Sequence, residues 1–260
     1  MTDIWIVSGT DTGVGKTIVT AAVAAAATAR GQRVAVLKPA ESGSTPDAGH
    51  ESDVDAVVRL AAPAGARTLA SYPDALAPLA AAEEAGAVPL AIGDVIEAVR
   101  VDAAQHDVVL VEGAGGLLVP MGEGGWTVAE LAVALRCPVL VVCRADLGTL
   151  NHTALTLEVL EHRGVSAVIV VGSWPAQAEL VHWRNLTDLP GELAGVLPTG
   201  AGALPGPLFR QRAPGWLSPR LYGRADPERL RLDGVPGPPP PWPDDGFPSP
   251  WSEASPTDRP

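Results

Sequence analysis

Lysine is almost absent from this chain. Of the 18 basic residues only two, Lys16 and Lys38, are lysines; the other 16 are arginines. Arginine serves wherever a charge merely needs solvating. A lysine that persists therefore marks a place where a compact, strongly hydrated ammonium is required and a planar guanidinium does not fit. Cysteine is as scarce: Cys137 and Cys143 lie in an apolar, strand-like run without metal-ligand spacing. That excludes a disulfide framework and reads as buried thiols of a cytosolic protein. Positive charge is in deficit too, with a net charge of −12, which excludes a binder of nucleic acid or of membrane surfaces, since both need a cationic face. No apolar run reaches the ~18 residues of a membrane span; the alanine-rich stretch 21–29 is too short and contains Thr28. Met1-Thr2-Asp3 places no basic region before an apolar segment, so no signal peptide is expected. Together these absences point to a soluble, cytoplasmic protein.

The 260 residues, 47% of them hydrophobic, are enough to bury roughly 70–75% of the unfolded surface without staples. β-Branched runs alternate with Ala/Leu-rich helical patterns. Strands are expected over residues 4–8, 33–37, 108–111, 138–143, 165–171 and 193–197, and helices over 16–30, 52–61, 92–104, 128–135, 151–163 and 177–186. The Ala/Pro/Gly stretch 62–89 gives no clear pattern. Continuous rather than alternating apolar strands imply that both sheet faces are covered. Strand–helix alternation then predicts an α/β, doubly wound, mostly parallel sheet with helices on both faces. Its ligands belong at the carboxyl ends of the strands. One domain is expected over residues 1–234. Residues 235–260 hold 10 prolines, with Trp242 and Trp251, and read as a disordered or polyproline-like tail.

Three clusters carry chemistry. The first, Gly9-Thr10-Asp11-Thr12-Gly13-Val14-Gly15-Lys16-Thr17, joins the first strand to the first helix. Amides of such a loop cradle phosphate; Lys16 would reach the β/γ-phosphates and the Thr17 hydroxyl would ligate Mg²⁺. The strict motif has Gly six positions before the lysine, where Thr10 stands here, with Gly9 one step earlier. The second cluster is Lys38-Pro39-Ala40-Glu41-Ser42-Gly43. Pro39 argues for a loop, which would carry Lys38 and Ser42 beside the first cluster. The third is Val111-Glu112-Gly113-Ala114-Gly115-Gly116. An acid directly after a buried strand is placed to engage Mg²⁺, and the glycines permit close backbone approach. Asp53 is a second candidate oxygen ligand; it reads equally as a first-turn acid complementing a helix dipole, with Asp55 as the alternative ligand.

Taken with Asp146-Leu147-Gly148-Thr149-Leu150-Asn151-His152, these motifs resemble dethiobiotin synthetase in order and spacing over most of residues 1–200. The resemblance implies a homodimeric P-loop fold that converts 7,8-diaminononanoate, CO2 and ATP or another nucleoside triphosphate to dethiobiotin, with Mg²⁺. It assigns catalysis to Lys38, Lys16 and Thr12, and Mg²⁺ to Thr17, Asp53 and Glu112. Nucleotide contacts fall to Gly13, Val14, Gly15, Lys16, Thr17 and Ile18, to Asp53, and to Glu112, Gly113, Ala114 and Gly115. Gly172, Ser173, Leu197, Pro198 and Thr199 would flank the base. Ser42, Gly148, Thr149 and Asn151 would bind the diamine substrate, the last three from the partner subunit. Two departures stand out. Where the family reads adenine with an Asn, this chain has Gly172-Ser173-Trp174-Pro175, and where the family has Pro then His it has Pro78-Leu79. A MinD/ParA-like ATPase is the rival reading, but the signature lysine of that group is replaced here by Asp11.

Overall fold

A computed structural model describes residues 2–43 and 51–232; the expected tail, 235–260, lies outside the described residues. The β-branched runs form β1 (Asp3–Gly9), β2 (Val34–Ser42), β3 (Gly65–Tyr72), β4 (Val108–Gly116), β5 (Val139–Cys143), β6 (Ala167–Trp174) and β7 (Leu193–Pro198). All pairs are parallel, in the order β3-β2-β4-β1-β5-β6-β7. From β1 the chain winds outward to β3, returns to insert β4 beside β1, and then winds the other way through β5 to β7. The reversal makes the carboxyl end of β1 the switch point, where a crevice opens in folds of this class.

Helices cover both faces. α1 (Lys16–Ala29), α2 (Asp53–Ala61) and α8 (Gly206–Arg212) pack together on one side; α3 (Pro78–Glu84), α4 (Ile92–Ala103) and α5 (Val128–Leu135) pack on the other. The run Ala21–Ala27 in α1 is buried all round, as small side chains allow for a helix lying close on a sheet. α6 (Thr149–His162), α7 (Leu180–Asp188) and α9 (Pro227–Leu232) cover the β5–β7 end. Local signals set the ends: Ser52 caps α2 by accepting the Asp55 N–H at 3.0 Å, and Thr127 with Glu130 forms a capping box at α5. Burial raises both thiols, Cys137 to about 12 and Cys143 to about 11, so neither is a ready nucleophile.

The structure departs from expectation in three places. β2 and β4 run on past their apolar cores, so Lys38, Ser42 and Glu112 lie within strands rather than on loops beyond them. Pro39 is tolerated because Leu37 is the last β2 residue paired to β4, which leaves the missing N–H outside that ladder. The unpatterned stretch contains β3, an edge strand paired only to β2 and half-buried along most of its length, which needs no continuous apolar run. Beyond Thr199, where the strand–helix alternation fails, short helical turns place Phe209, Trp216, Leu217 and Leu221 in the same core as α1.

Phe209 is fully buried and meets Trp216 edge to face at 5.3 Å. Phe209→Ala is expected to lower unfolding free energy by about 3–5 kcal/mol, read as a reduced urea midpoint. An unchanged midpoint would mean that the segment after β7 adds nothing to the core.

Candidate active site

The loop between β1 and α1 closes tightly because its glycines allow it. Gly13 and Gly15 have φ of 73° and 97°, a left-handed geometry that side chains resist. The loop rests on β6: a Cβ at Gly172 would lie 2.0 Å from the Val14 carbonyl oxygen. Lys16, the first residue of α1, is 8% exposed and donates from Nζ to the Asp11 carbonyl at 2.9 Å. Burial, then repulsion from Lys38, lowers its pKa to about 8, against the pull of Glu112, Asp53 and Asp11. Asp11 is clamped in turn, accepting the Thr12 N–H at 2.7 Å and the Arg144 guanidinium at 2.9 Å.

Beside this loop lies a buried ionic cluster. Lys38 Nζ sits 2.6 Å from Asp53 Oδ2, 2.7 Å from Glu112 Oε1 and 3.2 Å from the Gly113 carbonyl oxygen. Burial alone would lower the Lys38 pKa, but Glu112 and Asp53 outweigh it and raise it well above the ordinary lysine value. Asp53 behaves as the mirror image: burial pushes it up, yet Lys38 and Thr17 hold it below the usual carboxylate range. Thr17 Oγ1 lies 2.7 Å from Asp53 Oδ1 and 3.0 Å from Glu112 Oε1, and its single proton serves one of them at a time. Asp55 is not in this cluster. It is exposed and bonded to Ser52, so the ambiguity between the two acids falls to Asp53, which occupies the first turn of α2 and also faces Thr17.

Both parts open on one cavity of about 790 Å³ at the carboxyl edge of the sheet. Of the residues expected from the sequence, Thr12, Gly13, Gly15, Lys16, Thr17 and Ile18 line it along the loop side. Lys38, Ser42, Asp53, Glu112, Ala114 and Gly115 line it from β2, α2 and β4. The others stand outside it. Val14 is buried beneath the loop, and Gly113 contributes a carbonyl to Lys38. Gly172 backs the loop, Ser173 and Thr199 are exposed, and Leu197 and Pro198 are buried in β7. Gly148, Thr149 and Asn151 begin or precede α6 and do not line this chain's own cavity; Asn151 is exposed and Thr149 buried. The sequence reading assigned no role to Glu41, Glu51, Val119 or the wall from Ala75 to Ala77, all of which line the cavity. Glu41 sat inside a quoted motif, but nothing in its spacing marked it.

A glycine-rich loop between the first strand and helix, a lysine and threonine at its end, and two acids on neighbouring elements define a P-loop nucleotide-binding α/β domain. A family model described as an AAA domain matches residues 4–199. The septum site-determining protein MinD complexed with Mg-ADP, from Pyrococcus horikoshii, superposes with a TM-score of 0.52 at 15% identity, covering 90% of this chain and 96% of that one, which is likeness of fold alone. The chain belongs to the ATP-dependent dethiobiotin synthetase family. It is 48% identical over 238 residues to the enzyme of that name from Streptomyces avermitilis (90% of this chain, 99% of that one). It is 52% identical over 226 residues to the one from Saccharopolyspora erythraea (85% and 98%).

Lys38 is buried, so a truncation there acts on more than chemistry. Lys38→Ala leaves Glu112, 1% exposed, without its cation, and is expected to lower stability by about 3–5 kcal/mol in denaturant unfolding. Gly172→Ala should displace the phosphate loop and weaken nucleotide binding by about tenfold or more, with the circular dichroism spectrum unchanged. Unaltered affinity would show that the loop does not depend on β6.

Proposed function

We propose that this protein is an ATP-dependent ring-closing ligase of biotin biosynthesis, converting 7,8-diaminononanoate and CO2 to dethiobiotin. One observation carries the reading: both lysines of the chain, Thr17, Asp53 and Glu112 converge on one cavity. One substrate amine adds CO2 and loses a proton, giving a carbamate. A carbamate oxygen attacks the γ-phosphorus and releases the nucleoside diphosphate, leaving a carbamic–phosphoric anhydride. The second amine, as its free base, attacks the carbonyl carbon, expels phosphate and loses one proton as the ureido ring closes. The protein's task throughout is to neutralise anions, which suits fixed cations and backbone amides rather than a nucleophilic side chain.

Lys38 is proposed to stand over the carbamate, while Lys16 leaves the Asp11 carbonyl to meet the transferring phosphoryl group. Thr12 and the amides of Gly13, Gly15 and Gly115 complete the cradle. The oxygens of Thr17, Asp53 and Glu112 suit Mg²⁺, which takes one or two carboxylates and completes its shell with phosphate and water. Among the described residues no group of three or more Asp, Glu, His or Cys could hold a metal unaided. When bound, Mg²⁺ would spread the charge of the β- and γ-phosphates. Gly148, Thr149 and Asn151, at the N-terminus of α6 and outside their own chain's cavity, are proposed to reach the substrate carboxylate of a partner subunit in a homodimer. Among the described residues no helix is long and apolar enough to cross a membrane, in keeping with a proposed cytoplasmic location.

The test is to incubate the protein with diamine, bicarbonate, Mg²⁺ and nucleotide, and to look for dethiobiotin by mass spectrometry. Diamine-dependent phosphate release supports the ligase; diamine-independent hydrolysis supports a MinD/ParA-like ATPase. Base selectivity makes a separate prediction. The β6 end offers exposed Ser173 and buried Trp174 in place of an amide side chain, so no side chain at these two positions presents the paired donor and acceptor of an amide. Turnover with CTP and GTP is expected within about tenfold of that with ATP; a strong ATP preference would refute this.

A further inference from the structure

Four carboxylates line the cavity, and three are accounted for. Asp53 and Glu112 hold Lys38 and Thr17, and Glu51 is held by Arg59 through bonds of 2.6 and 2.8 Å. Glu41, at the end of β2, is the fourth. It is 9% exposed, and its Oε1 accepts the Asp53 N–H at 2.8 Å. No salt bridge reaches it among the described residues; Lys38, whose charge it feels, is already shared between two other acids. A carboxylate withdrawn from water without a counter-ion costs several kcal/mol, and one amide at a helix N-terminus recovers only part of that. A glutamine would cap Asp53 just as well, through its amide oxygen. The charge is therefore superfluous to the fold and calls for a cation arriving through the cavity.

The surroundings say what kind of cation. Ser42, the residue after Glu41, donates to the Leu76 carbonyl at 2.7 Å, and Ala75, Leu76, Ala77, Pro78 and Val119 line the same cavity, an apolar lining that suits an alkyl chain. Among the described residues no group of three or more acids, histidines or cysteines could hold a metal ion, which disfavours a bare metal ion as that cation. A vicinal diamine near neutral pH carries chiefly one ammonium, because two adjacent positive charges repel. We propose that Glu41 is the specificity-determining residue for the diamine: its Oε2 accepts from the amine that does not carry the carboxylate group, which turns the carbamate toward Lys38 and the phosphate loop. This inference rests on the function proposed above.

The experiment compares calorimetric binding of 7,8-diaminononanoate with that of its two amino-alcohol analogues, each with one amine replaced by hydroxyl. The wild-type chain is expected to prefer the diamine to at least one analogue by about tenfold or more. Glu41→Gln, which keeps the bond to Asp53, should bring that ratio close to one while leaving the KM for nucleotide within about twofold. A ratio preserved in Glu41→Gln, or no preference in the wild type, overturns the inference. So does a rise in nucleotide KM with the ratio intact, because Glu41 would then act only through Asp53. Failure of the wild type to make dethiobiotin overturns the proposed function itself, and is read independently of the variant.

Discussion

A single ammonium, that of Lys38, holds the cavity edge of this molecule together. Asp53 comes from α2 and Glu112 from β4, and in the absence of a cation two acids this close would repel. Lys38, projecting from β2, lies between them and ties three elements into one unit. Glu112 is 1% exposed and Lys38 3% exposed, so neither charge recovers its lost hydration from solvent. Each depends on the other, and on the Gly113 carbonyl and the Thr17 hydroxyl, for compensation. A guanidinium has a planar fork and a longer reach; it would not sit between two carboxylate oxygens at 2.6 and 2.7 Å while also meeting a backbone carbonyl. The survival of lysine here, in a chain that otherwise uses arginine, has a geometric cause.

The phosphate loop depends on this cluster and on a second support behind it. Thr17 reaches back from the start of α1 to the oxygens of Asp53 and Glu112, which ties the loop's exit to the ionic unit. The middle of the loop rests on Gly172, where even one methyl group would strike the Val14 carbonyl. Its flank is held by Asp11, itself bound to Arg144 at the end of β5. That last pair is exposed and contributes little to stability, but it orients the carbonyl that receives Lys16. The loop is thus set by its neighbours at both ends rather than by its own glycines alone.

Most of this was legible in the residues, for reasons that can be named. The helix expected over 128–135 coincides with α5, where the apolar spacing fills the whole span and the Thr127–Glu130 capping box marks its start, and the continuous apolar runs point to a sheet covered on both faces. The lysine count singled out Lys16 and Lys38 before any fold was drawn. What the sequence could not convey was how far β2 and β4 extend. Apolar character ends at Leu37 and Val111, but backbone pairing does not: Ala40, Glu41 and Ser42 still pair with β3, and Gly116 pairs with Gly9. Polar residues read as loop because propensity is blind to a ladder supplied by a neighbouring strand. The same blindness hid β3, whose partner lies about thirty residues earlier. Glu41 went unassigned because its meaning is a missing partner, and an absent counter-ion has no sequence pattern.

The two lysines differ in proton affinity, and that difference suits them to different work. Lys38 is saturated: two acids raise its pKa and a carbonyl takes a further donor, so it is a fixed positive charge held in place by its own partners. Lys16 holds only a neutral carbonyl, and burial together with the charge of Lys38 brings its pKa down to about 8. An ammonium so weakly compensated gains more from an incoming anion than one already paired. The neighbouring Lys38 sharpens this, because its repulsion of Lys16 is relieved when a phosphate comes between them. One cation thus builds the site while the other is left wanting a ligand, and the acids that gather around Lys38 keep the first from competing for the ligand of the second.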